Sequence, residues 1–174
     1  MKKNRTFFIL LYVLFASLIT SCAILPRPYK APQNGNIAYL RIAGPEGRDL
    51  PSVIYAFTFD NADNCKGRYN IQDIKWESKN AFSYIKIPSD KDFALSLHTS
   101  LVTGYSYCAP IISFVPKENR YYTAVFSIDS DANKCYLGLN SAISKSGEQL
   151  RNEPVEKRIF TNGFDESSSF CRPE

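Results

Sequence analysis

Apolar side chains recur at every second residue along much of this chain, and this period of two constrains the fold more than any other feature. Successive residues of a β-strand point to opposite faces, so the alternation predicts strands that bury one face. About seven such segments recur, with Pro, Asp, Asn and Ser between them as turn formers. The clearest alternating sets are Ala38, Leu40 and Ile42; Val53, Tyr55, Phe57 and Phe59; Phe93, Leu95 and Leu97; Ile112 and Phe114; Tyr122, Ala124, Phe126 and Ile128; and Cys135, Leu137 and Leu139.

Many short strands without a long helical stripe predict an all-β domain. We expect an antiparallel β-sandwich of immunoglobulin-like or transthyretin-like arrangement, since such sandwiches share an architecture without sharing sequence. Only two short segments, residues 71–79 and 143–152, carry a weak helical pattern. Residues 110–115, 120–128 and 134–141 are predicted to form a meander of three neighbouring strands.

The N-terminus has the pattern of an export signal. A basic start with Lys2, Lys3 and Arg5 precedes a thirteen-residue apolar run, Phe7 to Ile19, which only Ser17 interrupts. The run is shorter than the roughly 20 residues that a transmembrane helix needs. It ends in Ile19-Thr20-Ser21-Cys22, which resembles the lipobox of bacterial prolipoproteins: an aliphatic residue, two small residues and a cysteine.

This resemblance implies cleavage after Ser21 and attachment of lipid to Cys22, with fatty acyl chains anchoring the mature protein. Ala23 follows the cysteine instead of the Asp that retains many such lipoproteins in the inner membrane. The resemblance therefore implies the outer membrane, with the domain facing the periplasm. We expect residues 1–21 to be the signal peptide, 22–35 a Pro-rich tether and 36–174 the folded domain. An uncleaved membrane helix and an ordinary signal peptide are the alternatives.

Charge gives no indication of a nucleic-acid partner. The whole chain carries a formal charge of +4, and the predicted signal peptide holds three basic residues and no acidic ones, so the mature charge is +1. The rest of the chain has no run of five or six like charges of the kind that nucleic-acid arms use. We therefore expect the membrane, and not DNA or RNA, to be the partner that the sequence specifies.

The cysteines predict two disulfides. Lipid on Cys22 leaves four, Cys65, Cys108, Cys135 and Cys171, in a chain directed to an oxidising compartment. Four cysteines allow three pairings, of which we favour Cys65 with Cys108 and Cys135 with Cys171. No pair has the two-residue spacing of a zinc ribbon, and no glycine-rich phosphate loop is present. We expect no metal and no cofactor.

Candidate catalytic residues are few. His98 is the chain's one histidine and falls on a predicted strand, where a structural role is the commoner one. A hydrolase would use His98 or a pair of carboxylates, which sequence alone does not identify. The segment from Asp129 to Asn133 has half the oxygen spacing of a calcium loop, but Asp and Asn also favour tight turns, and we interpret it as a turn. We expect no enzymatic activity.

Aromatic residues exceed what one core of this size requires. Trp76, Tyr105, Tyr107, Tyr121 and Tyr122 are the surplus; sheet packing is the commoner role of such residues, and contact with a protein or glycan is the other. Tyr121 and Tyr122 should point to opposite faces of a strand. We expect a non-catalytic binding or structural module of the cell envelope, with a protein partner. The alternatives are an accessory subunit of an envelope complex, an inhibitor of an external hydrolase such as lysozyme, and a hydrolase.

Overall fold

The computed structural model describes residues 26–44, 53–75, 83–100, 107–129, 134–147, 149–163 and 167–174. Within these ranges the chain forms strands and turns and no helix, which confirms the all-β prediction. The strands are β1 (Arg27–Pro28), β2 (Ile37–Ala43), β3 (Val53–Asn61), β4 (Lys66–Lys75), β5 (Ile85–Pro88), β6 (Phe93–Ser100), β7 (Tyr107–Cys108), β8 (Ile111–Phe114), β9 (Tyr121–Asp129), β10 (Lys134–Ala142), β11 (Arg151–Asn152), β12 (Glu156–Phe160) and β13 (Cys171–Pro173).

The strands form two sheets, as expected for a sandwich. The eight-stranded sheet has the order β1-β4-β3-β6-β8-β12-β13, with β7 paired to β6, and the five-stranded sheet has the order β11-β10-β9-β2-β5. Most pairs are antiparallel, but β2 runs parallel to β9 and β1 runs parallel to β4. The sandwich is therefore mixed and not purely antiparallel.

The main core lies between the two sheets and consists largely of the predicted alternating residues. Leu40 of β2, Leu95 of β6 and Phe126 of β9 are fully buried in it. On each of these strands, the residues directly before and after the buried one point away from the main core, as the period of two requires. Burial of these apolar side chains is the principal force that holds the two sheets together.

The predicted three-stranded meander is wrong. β9 and β10 pair along their whole length, but β8 lies in the other sheet, between β6 and β12. All four residues of β8 are buried, as in a strand covered on both faces. The chain crosses from β8 to β9 through Pro116, and the buried Tyr122 hydroxyl accepts a hydrogen bond of 2.8 Å from the Lys117 amide in this crossing.

Neither weak helical segment is a helix in the part of the chain that the structure describes. Residues 71–75 belong to β4, and residues 143–147 and 149–150 form bends and turns before β11. In β4 the register with β3 shifts by one residue, so that Gln72 faces Ala56 and Asn70 faces Phe57. This bulge leaves Ile71 without an opposite residue, and it interrupts the period of two that would have indicated a strand.

A second, smaller core lies on the outer face of the eight-stranded sheet. Phe57 and Phe59 of β3, Ala94 of β6 and Ile111 of β8 pack there against Phe170 and Phe160. The sheet curls so far that β13 reaches the turn between β3 and β4, where the amides of Phe170 and Cys171 donate to the carbonyls of Cys65 and Asn64.

Arg158 of β12 fastens this closure. Its side chain is 6% exposed and donates to the Ser113 hydroxyl at 2.8 Å and to the Asp63 carbonyl at 2.7 Å. Because Asp63 lies in the β3–β4 turn, these bonds join the two ends of the curled sheet. The part of the outer face around Phe57 and Phe59 is thereby converted into an interior.

The two predicted disulfides are present, but the favoured pairing is wrong. Cys65 pairs with Cys171 at a Cα–Cα distance of 5.3 Å, and Cys108 pairs with Cys135 at 6.0 Å. The first bond locks β13 onto the β3–β4 turn, and the second joins β7, which is attached to the eight-stranded sheet, to β10 of the other sheet. Both pairings depend on the curl and the crossing between sheets, which spacing along the chain does not encode.

Part of the predicted tether packs on the domain. Arg27 and Pro28 pair with Tyr69 and Asn70 of β4, and the Tyr29 amide donates to the Asn70 carbonyl at 2.8 Å. Ser21 and Cys22 lie outside the described residues. Across the described ranges, no helix has the length and apolar character to span a membrane.

Candidate functional site: the tyrosine face

A cluster of tyrosines and cations lies on the outer face of the five-stranded sheet. Its members are Tyr39 and Arg41 of β2, Tyr121 of β9, Lys86 of β5 and Tyr84 just before β5; we call this the tyrosine face. The register places Tyr39 opposite both Tyr121 and Lys86. Because Ala38, Leu40 and Ile87 on the same strands point into the main core, the cluster points outward.

The rings of this face order one another. Tyr39 and Tyr121 stack with centroids 4.8 Å apart and planes 11° from parallel, and Tyr84 meets Tyr121 edge to face at 5.2 Å. The Arg41 guanidinium lies 5.2 Å from the centroid of the Tyr84 ring, and its Nε donates to the Thr123 hydroxyl at 2.9 Å. Such contacts hold the side chains in one arrangement before any partner binds, which lowers the entropy cost of binding.

The composition of the face is rich in tyrosine and in cations. Tyr and Arg are the residues that most often dominate the energy of protein interfaces. The three rings are each partly exposed, and Lys86 is exposed. Both charged members of the face, Arg41 and Lys86, are cations, so the face is complementary to a partner surface that carries carboxylates.

The tyrosine face was predictable from the sequence only in part. Tyr121 and Tyr122 do point to opposite sides, as expected: Tyr122 is buried in the main core, whereas Tyr121 is on the outer face. Trp76 and Tyr105 lie outside the described residues, as does the side chain of Tyr107. Tyr39 and Arg41 were missed, although they occupy the alternate positions between Ala38, Leu40 and Ile42 and the alternation could have indicated them.

His98 lies in the second core and not at a surface. It is 5% exposed, and the Phe57 and Phe160 rings meet it edge to face at 4.8 and 5.1 Å. Its Nε2 shares a hydrogen bond of 2.6 Å with the hydroxyl of Ser96, which is fully buried. Burial, and to a smaller extent the nearby Arg68 cation, lowers the pKa of His98 to about 3.

The Ser96–His98 pair has the hydrogen bond that a serine nucleophile and its base require, but its surroundings are those of a core. Aromatic rings enclose it, and a histidine with so low a pKa is a weak base at neutral pH. The geometry therefore favours a structural role, in which each side chain satisfies the other's buried polar group.

The remaining candidates bring no further chemistry into the described part of the chain. The predicted turn after Asp129 falls on residues 130–133, which lie outside the described residues. Among the described residues, no three His, Cys, Asp or Glu side chains are placed to hold a metal ion together.

Comparison with known proteins leaves the site to be interpreted from its own geometry. No family model matches the chain, and no curated protein and no solved structure matches it.

Proposed function

We propose that this chain is an outer-membrane lipoprotein, anchored through Cys22, whose β-sandwich is a non-catalytic binding module of the cell envelope. Its partner is a protein that presents a carboxylate-bearing patch to the tyrosine face. The observation that carries this proposal is the pre-ordered cluster of Tyr39, Tyr84 and Tyr121 flanked by two cations.

The lipid anchor is supported by the lipobox-like residues 19–22 and by the start of the domain. Only four residues lie between Cys22 and Arg27, which already pairs with β4. The five extended steps from Cys22 to Arg27 span at most about 18 Å. A lipid on Cys22 would thus hold this edge of the sandwich close to the membrane, where an envelope partner can be reached.

The surroundings of His98 support the non-catalytic part of the proposal. The histidine that a hydrolase would use is enclosed by Phe57 and Phe160 and has a lowered pKa. A base in that state contributes little to proton transfer near pH 7.

The anchor is tested with Cys22→Ala in the native envelope. The wild-type chain should lose residues 1–21, gain the mass of its acyl chains and sediment with outer membranes. The variant should keep the precursor mass or be released from the membrane. A variant that matures to the wild-type mass and still sediments with membranes would show that Cys22 is not lipidated.

The partner is tested by placing a photo-crosslinking amino acid at Tyr84 in the full chain in its native envelope. The matched control carries the same group at Tyr55, an exposed tyrosine of the eight-stranded sheet. We expect a discrete protein adduct at position 84 only, and a lower yield when Arg41 and Lys86 are both changed to Gln. Equal adducts at both positions, or a yield that the two substitutions leave unchanged, would contradict the proposal.

The protein captured in that adduct distinguishes an accessory subunit of an envelope complex from an inhibitor of an external hydrolase. A resident envelope protein indicates an accessory subunit, whereas a hydrolase added from outside indicates an inhibitor.

A further inference from the structure

The N-terminal segment closes one end of the sandwich. Tyr29 donates through its amide to Asn70 of β4 at 2.8 Å and through its hydroxyl to the Lys86 carbonyl of β5 at 3.0 Å. One residue therefore ties β4, the neighbour of edge strand β1 in the eight-stranded sheet, to β5, an edge strand of the five-stranded sheet. Burial raises the pKa of Tyr29 to about 12, so this hydroxyl remains a donor at neutral pH.

A cleft of about 620 Å³ lies beneath this segment. Its volume is within the range of about 300–1,000 Å³ that is typical of small-molecule sites. Apolar walls come from prolines of the N-terminal segment and β5 and from aromatic rings, while Arg27, Lys30, Lys91, Asp60 and Asp92 supply charged groups. The cleft is distinct from the tyrosine face.

Thr58 lines the cleft and carries a polar group that the fold does not use. The residue is 3% exposed, and its hydroxyl has no hydrogen-bond partner among the described residues. A buried hydroxyl without a partner costs about 1–3 kcal/mol, and valine has the same shape without that cost. A ligand in the cleft whose polar atom reaches this hydroxyl would relieve that cost.

Asp60 is held in place at the cleft by its neighbours. The Tyr69 hydroxyl donates to Asp60 Oδ2 at 2.9 Å, and this bond is the main cause of the raised pKa of Tyr69. Gly67 lies directly beneath, where a Cβ would come within 2.5 Å of the same oxygen, and its φ of 67° also favours glycine. The carboxylate therefore depends on a glycine for its position.

The mixture of groups restricts the class of ligand. The three cations donate and the two carboxylates accept, so a ligand that both donates and accepts matches more of these groups than one that only donates or only accepts. The two carboxylates disfavour a polyanion, and the five charges disfavour a wholly apolar molecule. A sugar ring meets all of these conditions, because its hydroxyls donate and accept while its C–H faces pack on rings and prolines.

We infer that the cleft under the N-terminal segment binds a short oligosaccharide that carries at most one negative charge, with the Thr58 hydroxyl and the Asp60 carboxylate among its hydrogen-bond partners. This ligand site adds to the protein-binding role of the tyrosine face, and neither requires the other.

The test is binding by the full chain in detergent micelles, followed by NMR and calorimetry. The probes are two uncharged saccharides, a tetramer of β-1,4-linked N-acetylglucosamine and a tetramer of β-1,4-linked glucose, with inorganic phosphate and anionic phospholipid vesicles as comparison probes. We expect saturable binding of one of the saccharides, stronger than any binding of phosphate or vesicles. Thr58→Val should weaken that binding about three- to tenfold, the value of one hydrogen bond, without lowering the urea midpoint.

Two further variants keep the test decisive if Thr58→Val does not fold. Lys91→Gln in the cleft should weaken binding, and Lys145→Gln, an exposed lysine outside the cleft, should not. The inference is overturned if neither saccharide binds at about 10 mM, or if binding is indifferent to both Thr58→Val and Lys91→Gln. Binding of phosphate or vesicles without either saccharide would also overturn it and would identify an anion site instead. None of these outcomes bears on crosslinking at Tyr84.

Discussion

The two outer faces of this sandwich are built from strands of the same aromatic-rich, alternating kind, yet the aromatic rings are covered on one face and partly exposed on the other. On the eight-stranded sheet, Phe57 and Phe59 are covered when the sheet curls and β13 returns to the β3–β4 turn. On the five-stranded sheet, Tyr39, Tyr84 and Tyr121 remain partly exposed and stack on one another. The chemistry of the rings matches this difference, since phenylalanine has no polar group whereas tyrosine can bond to water or to a partner.

A second interior forms in this sandwich without a third layer. The strands β12 and β13 belong to the same sheet whose outer face they help to cover. Arg158 and the Cys65–Cys171 disulfide hold that closure. In the described part of the chain, no disulfide and no buried arginine closes the sheet over the tyrosine face, so its rings remain accessible.

The largest expected effect is the loss of the disulfide that closes the covered face. Cys65→Ser with Cys171→Ser opens a link between residues 106 apart, whereas Cys108 and Cys135 are only 27 apart. The chain-entropy model gives losses of about 4–5 and about 3–4 kcal/mol in the free energy of unfolding. Urea unfolding of the two double variants measures both. An equal or larger loss in the Cys108 and Cys135 variant would show that the closure of the second core is not the stronger constraint.

Removing one aromatic ring from each face should lower the free energy of unfolding by different amounts. Phe57→Ala creates a cavity in the second core and should lower the free energy of unfolding by about 3–5 kcal/mol. Tyr121→Ala removes a stacked but partly exposed ring and should cost about 0.5–1.5 kcal/mol. Both values come from urea titrations at pH 7. If the two variants lost similar amounts of unfolding free energy, the tyrosine face would be as tightly packed as the covered face, contrary to this expectation.

The pH dependence of stability reports on the covered face through His98. Its pKa is about 3 when folded and 6.5 in the ordinary state, so the unfolded chain binds the extra proton first. Stability is therefore unaffected above pH 6.5 and falls as the pH falls from 6.5 toward 3. The expected loss from this group is about 2 kcal/mol between pH 7 and pH 5.

His98→Gln, which can still bond to Ser96 but does not titrate in this range, is the matched control and should show a loss smaller by that amount. Since the chain has one histidine, its ring resonance can be followed directly by NMR. A folded-state titration near pH 6.5 would contradict the buried, neutral imidazole.

Much of the sandwich was predictable from the sequence because its main core obeys local alternation. Leu40, Leu95 and Phe126 are buried as the period of two requires. The second core was not predictable, since Phe57 and Tyr39 occupy similar alternating patterns and only long-range closure decides which is covered. The predicted cysteine pairing and the predicted position of β8 were wrong for the same reason, because long-range closure decides both. The cleft under Tyr29 depends on an N-terminal segment whose prolines indicate a tether and not a strand.

Hydroxyl-radical footprinting, read by mass spectrometry, tests the central contrast between the two faces in one measurement. The protein is labelled after purification and again in its native envelope. We predict that Phe57 and Phe170 resist oxidation in both states, while Tyr39, Tyr84 and Tyr121 are oxidised when purified and protected in the envelope, with the exposed Tyr55 labelled equally in both. Equal labelling of the three tyrosines in the two states would contradict the account of the tyrosine face as a binding surface.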